Sequence, residues 1–174
     1  MTQTPSQAPS QAPKLSSKEA VLNGLPEHPA IQAILKLDPA SLTDANFDFG
    51  ELTLTVDRTQ IRGACSAVQA ACYNFFEDMT AVDWHPRTPR FQLSYHLLSH
   101  QYKDRIRLRV MLDEADPSID SITPLWPGAN FYEREVFDLF GIRFAGHPDL
   151  RRIMLPDDWK GHPLRKDYPV EGYR

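Results

Sequence analysis

Cysteine is scarce in this chain of 174 residues, with only Cys65 and Cys72 present. Two thiols are too few for an iron–sulfur cluster, which takes about four thiolates, or for a four-cysteine zinc site. Their spacing puts both on one helical face about two turns apart, beyond disulfide reach, so they read as small buried apolar residues. Long apolar runs are missing as well, and none approaches the ~20 residues of a membrane span. No basic stretch followed by an apolar one opens the chain as a secretory signal would. The expectation is a protein that stays in the cytoplasm and meets a membrane only through other proteins. Nor is there a surplus of positive charge. The formal net charge is −4, with acids and bases interspersed, which removes the electrostatic reason to expect nucleic acid or an anionic lipid surface.

What is present is an ordinary globular balance, 41% hydrophobic and 24% charged. At this length a single core buries roughly 70% of the unfolded surface, so one domain is expected. Proline recurs within the first thirteen residues. Met1 to about Lys14 repeats Pro-Ser-Gln-Ala at Pro5 and Pro9. Such a segment buries too little to offset its chain entropy. The expected organisation is a disordered tail over residues 1–17, a folded domain over 18–146 and an extended arm over 147–174.

Within the domain, Pro29 to Leu37 predicts a short helix stopped by Asp38-Pro39, with Ile31, Ile34 and Leu35 as its stripe. Glu51 to Val56 alternates apolar and hydroxylated residues as a half-buried strand does. Asp57 or Thr59 then caps a helix whose stripe is Ile61, Ala64, Cys65, Val68, Cys72 and Phe75. Three strands come next, over Phe76 to Trp84, Phe91 to Leu97 and Ile106 to Leu112. The last two are joined by the polar loop Ser99 to Asp104 as an antiparallel hairpin. The fold expected is α+β, a mostly antiparallel sheet covered by helices on one face and followed by an extended C-terminal arm.

Two sets of residues invite a chemical reading. Arg105, Arg107 and Arg109 share one face of a strand, but no stacking aromatics interleave with them as a nucleic-acid surface would require. They read as a solvated face, or one turned to a partner's carboxylates. Of the six histidines, His96 and His100 are four apart, about 13 Å on a strand, too far to share a metal. His28, His85, His147 and His162 each precede proline, a signal of turns and extended chain first.

Pro124 and Pro127 lead into the element around which the rest is arranged, a helix from about Gly128 ended by Gly141 as a left-handed cap. Ala129, Tyr132, Val136, Leu139 and Phe140 form its stripe. The consecutive Glu133, Arg134 and Glu135 fan over about 200° of it, so one must approach the packed face. Arg134 and Asp138 stand at i, i+4 and are placed to pair. Glu133 and Glu135 resemble a general acid–base pair, yet no pocket to raise a carboxyl pKa is foreseen, and Arg134 between them would lower it. From His147 to Arg174 prolines recur, and Leu150, Ile153, Met154, Leu155, Trp159, Leu164 and Tyr168 keep no steady period. Such a segment does not fold alone, and it fits wrapping over another molecule's surface, with its anchors in pockets and its arginines on acids.

Glu133-Arg134-Glu135, Asp138-Leu139-Phe140-Gly141, His147, Arg151-Arg152-Ile153-Met154 and Gly161-His162-Pro163-Leu164-Arg165-Lys166-Asp167-Tyr168 resemble the 30 kDa (C) subunit of proton-translocating NADH:quinone oxidoreductase, respiratory complex I. The cyanobacterial and chloroplast counterpart is the J subunit. The likeness covers about Thr59 to Tyr168 and is looser through Val82-Asp83-Trp84. It implies a peripheral-arm subunit that holds no FMN, iron–sulfur cluster, quinone or metal itself. Its partners would be the large quinone-site (D) subunit and also the B subunit, on the cytoplasmic side of the bacterial inner membrane. The complex would carry electrons from NADH through FMN and iron–sulfur clusters to quinone and translocate protons. The interface residues implied are Glu133, Arg134, Glu135, Asp138, His147, Arg151, Arg152, His162, Arg165, Lys166, Asp167 and Tyr168. The alternatives are the equivalent subunit of a complex I-like hydrogenase or other-donor dehydrogenase, or a stand-alone metal enzyme built on Glu133, Glu135 and the His-Pro histidines. On the first reading, removing the arm before His147, or Arg134→Ala, should leave the domain folded and block assembly.

Overall fold

The computed structural model describes residues 14–172. The low-complexity segment up to residue 13 lies outside them. Just beyond it, Leu15 is bridged to Phe47 and Ser17 caps the first helix. The elements in chain order are α1 (Lys18–Gly24), α2 (Pro29–Leu37), β1 (Leu42–Asp48), β2 (Glu51–Val56), a 3-10 turn (Arg58–Gln60), α3 (Ile61–Ala70), β3 (Phe75–Asp83), β4 (Phe91–Ser99), β5 (Asp104–Leu112), β6 (Ser118–Asp120), α4 (Ala129–Phe140) and β7 (Arg143–Ala145).

Alternation sets the sheet. Leu52, Leu54 and Val56 of β2, Phe91, Leu93, Tyr95 and Leu97 of β4, and Ile106, Leu108, Val110 and Leu112 of β5 are all buried on one face. The strand order is β1-β2-β5-β4-β3, antiparallel except where β2 and β5 run parallel at the centre. The β4–β5 hairpin closes as the sequence predicts, with Leu97 opposite Ile106 and Ser99 opposite Asp104. A single face is covered: Ile31 and Ile34 of α2, Ile61, Ala64, Cys65 and Val68 of α3, and Ala129, Val136 and Phe140 of α4 join the same core. This is the expected α+β layer structure. No helix among the described residues is long and apolar enough to cross a membrane.

One local expectation is corrected. Helix α3 stops at Ala70, so Cys72 and Phe75 leave its stripe. Cys72 adopts a left-handed φ of 71° where the chain turns into β3, and Phe75 opens that strand half-exposed. The arginine row is partly exposed, as a solvated face would be, and each member already meets an acid of its own chain. Arg107 reaches Glu51 at 2.7 Å, Arg105 reaches Glu77 at 2.8 Å and Arg109 reaches Asp44 at 3.3 Å. Elements α1, β1, β6 and β7 carry no clear periodic signal; β1 reads Leu-Thr-Asp-Ala-Asn-Phe-Asp, with a register shift near its start.

Candidate docking site

Helix α4 faces three ways at once. Gly141 ends it in the predicted left-handed conformation, φ 78°, donating its N–H to Phe137. Glu133 is fully buried. Its Oε1 accepts the N–H of Ile122 at 2.7 Å, while Oε2 and the sealed Tyr95 hydroxyl have no hydrogen-bond partner among the described residues. Burial pushes the Glu133 carboxyl up to about 7, against the opposing pull of Ser121, the Ile122 amide and Arg62. The expectation that Arg134 would lower this carboxyl is therefore overturned. The cause is the apolar layer between α4 and the sheet, which Arg134 does not reach. Glu135 is exposed. Side chains two apart on a helix point away from each other, so the two glutamates do not form an acid–base or metal-binding pair.

Asp138 carries the arm. It is fully buried and is paired with Arg152, not with Arg134 as the i, i+4 spacing suggested. Its Oδ2 accepts three successive backbone N–H groups, from Ile153 at 3.0 Å, Met154 at 2.8 Å and Leu155 at 2.9 Å. Burial alone would raise this carboxyl, but Arg152 and those amides together hold it below the usual carboxylate range. Arg152 also donates to the carbonyls of Trp159 at 2.9 Å and Gly161 at 3.1 Å, so it folds the arm around itself. Arg134 clamps the approach by donating to the carbonyls of Arg151 and Arg152 at 3.1 and 2.8 Å. Both histidines named for the interface face inward. His162 Nδ1 donates to the Asp138 carbonyl at 2.9 Å. His147 Nδ1 accepts from Asp149 N–H at 3.0 Å, which leaves its Nε2 proton directed at the carbonyl of Asn130 at 3.3 Å.

A second anchor lies farther along. Arg90 is buried and holds Asp83 through two hydrogen bonds of 2.9 and 2.8 Å, and the arm's Asp167 through two of 2.6 and 3.1 Å. Glu114 completes the cluster through Arg90 and Arg165. The Lys166 N–H donates to Asp83 Oδ2 at 2.8 Å, and the Leu164 N–H donates to the Leu139 carbonyl at 3.0 Å. Burial works against ionisation of Asp83, yet hydrogen bonds from Arg90, Lys166 and His85 bring it down to about 2. Asp83, Arg90 and Glu114 are not singled out by any sequence motif. The available signal is the phase of the strands, since an acid at position 83 continues the inward-facing Met79 and Ala81.

Of the remaining interface candidates, Arg151 pairs with Asp149 at 2.8 Å on the surface, and Tyr168 donates to the Lys160 carbonyl at 3.3 Å. Most of the arm's charged anchors thus point inward, while four of its large apolar side chains point out, although Leu150 packs against the core. Met154 is 64% exposed, Leu164 50%, Trp159 41% and Ile153 37%, and Phe131 on α4 is 62% exposed. The arm is held by its own domain and leaves these apolar side chains exposed.

Residues 54–174 match the family described as "Respiratory-chain NADH dehydrogenase, 30 Kd subunit". The chain is 48% identical over 145 residues to the NADH-quinone oxidoreductase C subunit of Citrifermentans bemidjiense, covering 81% of this chain and 90% of the relative. Identity to the C subunit of Roseiflexus sp. is 56% over 98 residues, 56% of either chain. Among solved structures, the trypsin-resistant fragment (1-134) of Nqo5 superposes with a TM-score of 0.62 at 32% identity, covering 71% of this chain and 100% of the fragment. The archaeal membrane-bound sulfane sulfur reductase contains a chain of the same fold, TM-score 0.67 at 24% identity, covering 80% of this chain and 84% of that one. Helix α4, the arm and both its anchors lie within the residues that the family match spans, and the chain belongs to the family of 30 kDa, or C, subunits of NADH-quinone oxidoreductase.

Proposed function

We propose that this chain is a cofactor-free structural subunit in the peripheral arm of an NADH:quinone oxidoreductase, and that its C-terminal arm docks on the large quinone-site (D) subunit, with the B subunit as a further neighbour. The complex passes electrons from NADH through FMN and iron–sulfur clusters to quinone and couples this to proton translocation, with this chain on the cytoplasmic side of the membrane. This chain's part is to hold a surface in place. The observation that carries the reading is the two-sidedness of the arm. Two buried ion clusters fix its backbone, while Ile153, Met154, Trp159 and Leu164 are left outside. A solvent-facing strap has no use for that many large apolar side chains, whereas an interface core does.

Met154→Ser combined with Leu164→Ser tests it. Both side chains are half-exposed or more, so the isolated chain should lose at most about 0.5–1 kcal/mol by urea unfolding. Co-purification of a tagged chain with the large quinone-site subunit should fall about tenfold or more. Undiminished co-purification would remove the arm from the interface.

A further inference from the structure

The helix-free face of the sheet carries a feature that the arm does not explain. Between the β1–β2 hairpin and the loop joining β3 to β4 lies an open cavity of about 440 Å³. Its floor is Met111, Thr55 and Gln92, and its wall is Trp84, Arg87 and Pro89. The wall is built firmly. The Trp84 N–H donates to the Arg90 carbonyl at 2.8 Å, Arg87 N–H donates to the Trp84 carbonyl at 2.8 Å, and the indole Nε1–H donates to Gln92 at 3.2 Å. The Arg87 guanidinium lies over the Trp84 ring, 5.5 Å from its centroid.

The charges in this cavity do not balance. Arg109 spends its Nε on Thr55 at 2.9 Å and reaches Asp44 at 3.3 Å. Arg87 is exposed, and among the described residues it has no hydrogen bond or ion pair beyond its backbone turn and the indole contact. The neighbouring acids are already taken: Glu51 by Arg107 at 2.7 Å and Asp48 by Lys14 at 2.6 Å. Two guanidiniums therefore face one carboxylate. A Trp–Arg stack beside Met111 is the composition of an interface centre, and its rigidity means little ordering cost on binding. Arg87 has five N–H donors in a fixed fork that matches a carboxylate.

We infer that this groove on the outer face of the sheet is a second protein-docking surface, and that it receives a segment of a companion polypeptide bearing an Asp or Glu that pairs with Arg87 and Arg109 while apolar neighbours cover Trp84 and Met111. The inference rests on the chain working inside an assembly, as proposed above, but not on the arm. In the intact complex, a photo-crosslinking residue in place of Thr88, on the cavity rim, should join this chain to one companion polypeptide within a few residues of an acid. Arg87→Glu should lower that yield about tenfold, and Arg87→Lys should retain part of it. The unfolding midpoint of the isolated chain should not move in either variant, since Arg87 is exposed and ties no element down. No adduct, an adduct with lipid or with a second copy of this chain, or a yield indifferent to Arg87→Glu overturns the inference. Failure here leaves the arm reading intact, because that is read by Met154 and Leu164, which lie outside the groove.

Discussion

At the scale of single residues, two acids of the same helix, Glu133 and Asp138, have opposite chemistry because their surroundings differ. Asp138 is buried among donors and stays ionised. Glu133 is buried in the core beside a Tyr95 hydroxyl that has no hydrogen-bond partner among the described residues, and holds a proton near neutrality. Asp138→Ala leaves Arg152 and three adjacent N–H groups without their common acceptor. A loss of about 3–5 kcal/mol is expected, together with loss of amide-exchange protection at Ile153 to Leu155. Glu133 contributes a pH dependence whose sign comes from its raised value. Between the ordinary glutamate range near 4.5 and about 7, the folded chain binds more protons at this site than the unfolded chain does. The contribution is therefore present in full below pH 4.5 and lost as pH rises to about 7, a change of about 3 kcal/mol. Glu133→Gln cannot ionise. Urea unfolding from pH 4.5 to 8 should show the variant gaining on the parent by that amount as pH rises, and parallel curves would show that Glu133 does not titrate in this range.

At the scale of elements, the legible parts came from punctuation and period. Pro127 and Gly141 frame α4, Pro29 and Pro39 frame α2, and strict alternation marks β2, β4 and β5. Strand β1 was not legible because its residues are mostly polar, and its place depends on pairing with β2. The parallel contact of β2 with β5 is long-range in sequence, and no local pattern encodes it. The pairing of Arg134 failed because helical spacing says which groups are near each other and not which has a better partner elsewhere. The arm's carbonyls won Arg134, and Arg152 won Asp138. The left-handed cap carries a second duty that the sequence did not reveal. A Cβ at Gly141 would meet the His162 ring at 2.7 Å, so the missing side chain is where the arm's histidine sits. Gly141→Ala should cost about 1 kcal/mol for its φ of 78° plus the clash that dislodges His162. In a His162→Ala background the clash disappears. Thermal unfolding should then show only the backbone part, and an equal loss in both backgrounds would dissociate the cap from the arm.

At the scale of the whole molecule, the arm and the domain divide their labour differently from a docking tail appended to a finished core. The sequence suggests a clean cut before His147, but the structure places the partners of buried charges on the far side of that cut. Asp138 would lose Arg152 and the amides of Ile153, Met154 and Leu155, and Arg90 would lose Asp167. Asp83 would lose the Lys166 amide. Water replaces some of these bonds once the arm is gone, so a chain ending at residue 146 should still fold, but several kcal/mol less stably and with a lower thermal midpoint. The expectation of a folded truncated domain stands, with a cost in stability added to it. Failure of the truncated chain to assemble would mix lost stability with a lost surface. Comparing unfolding free energies of three proteins separates them: the parent, the chain ending at 146, and Met154→Ser/Leu164→Ser. Truncation should fall well below the other two, because it removes inward-facing anchors while the double substitution touches only outward-facing side chains. Equal stability of all three would mean that the ion clusters add nothing to the fold and that the arm is shaped by its partner alone.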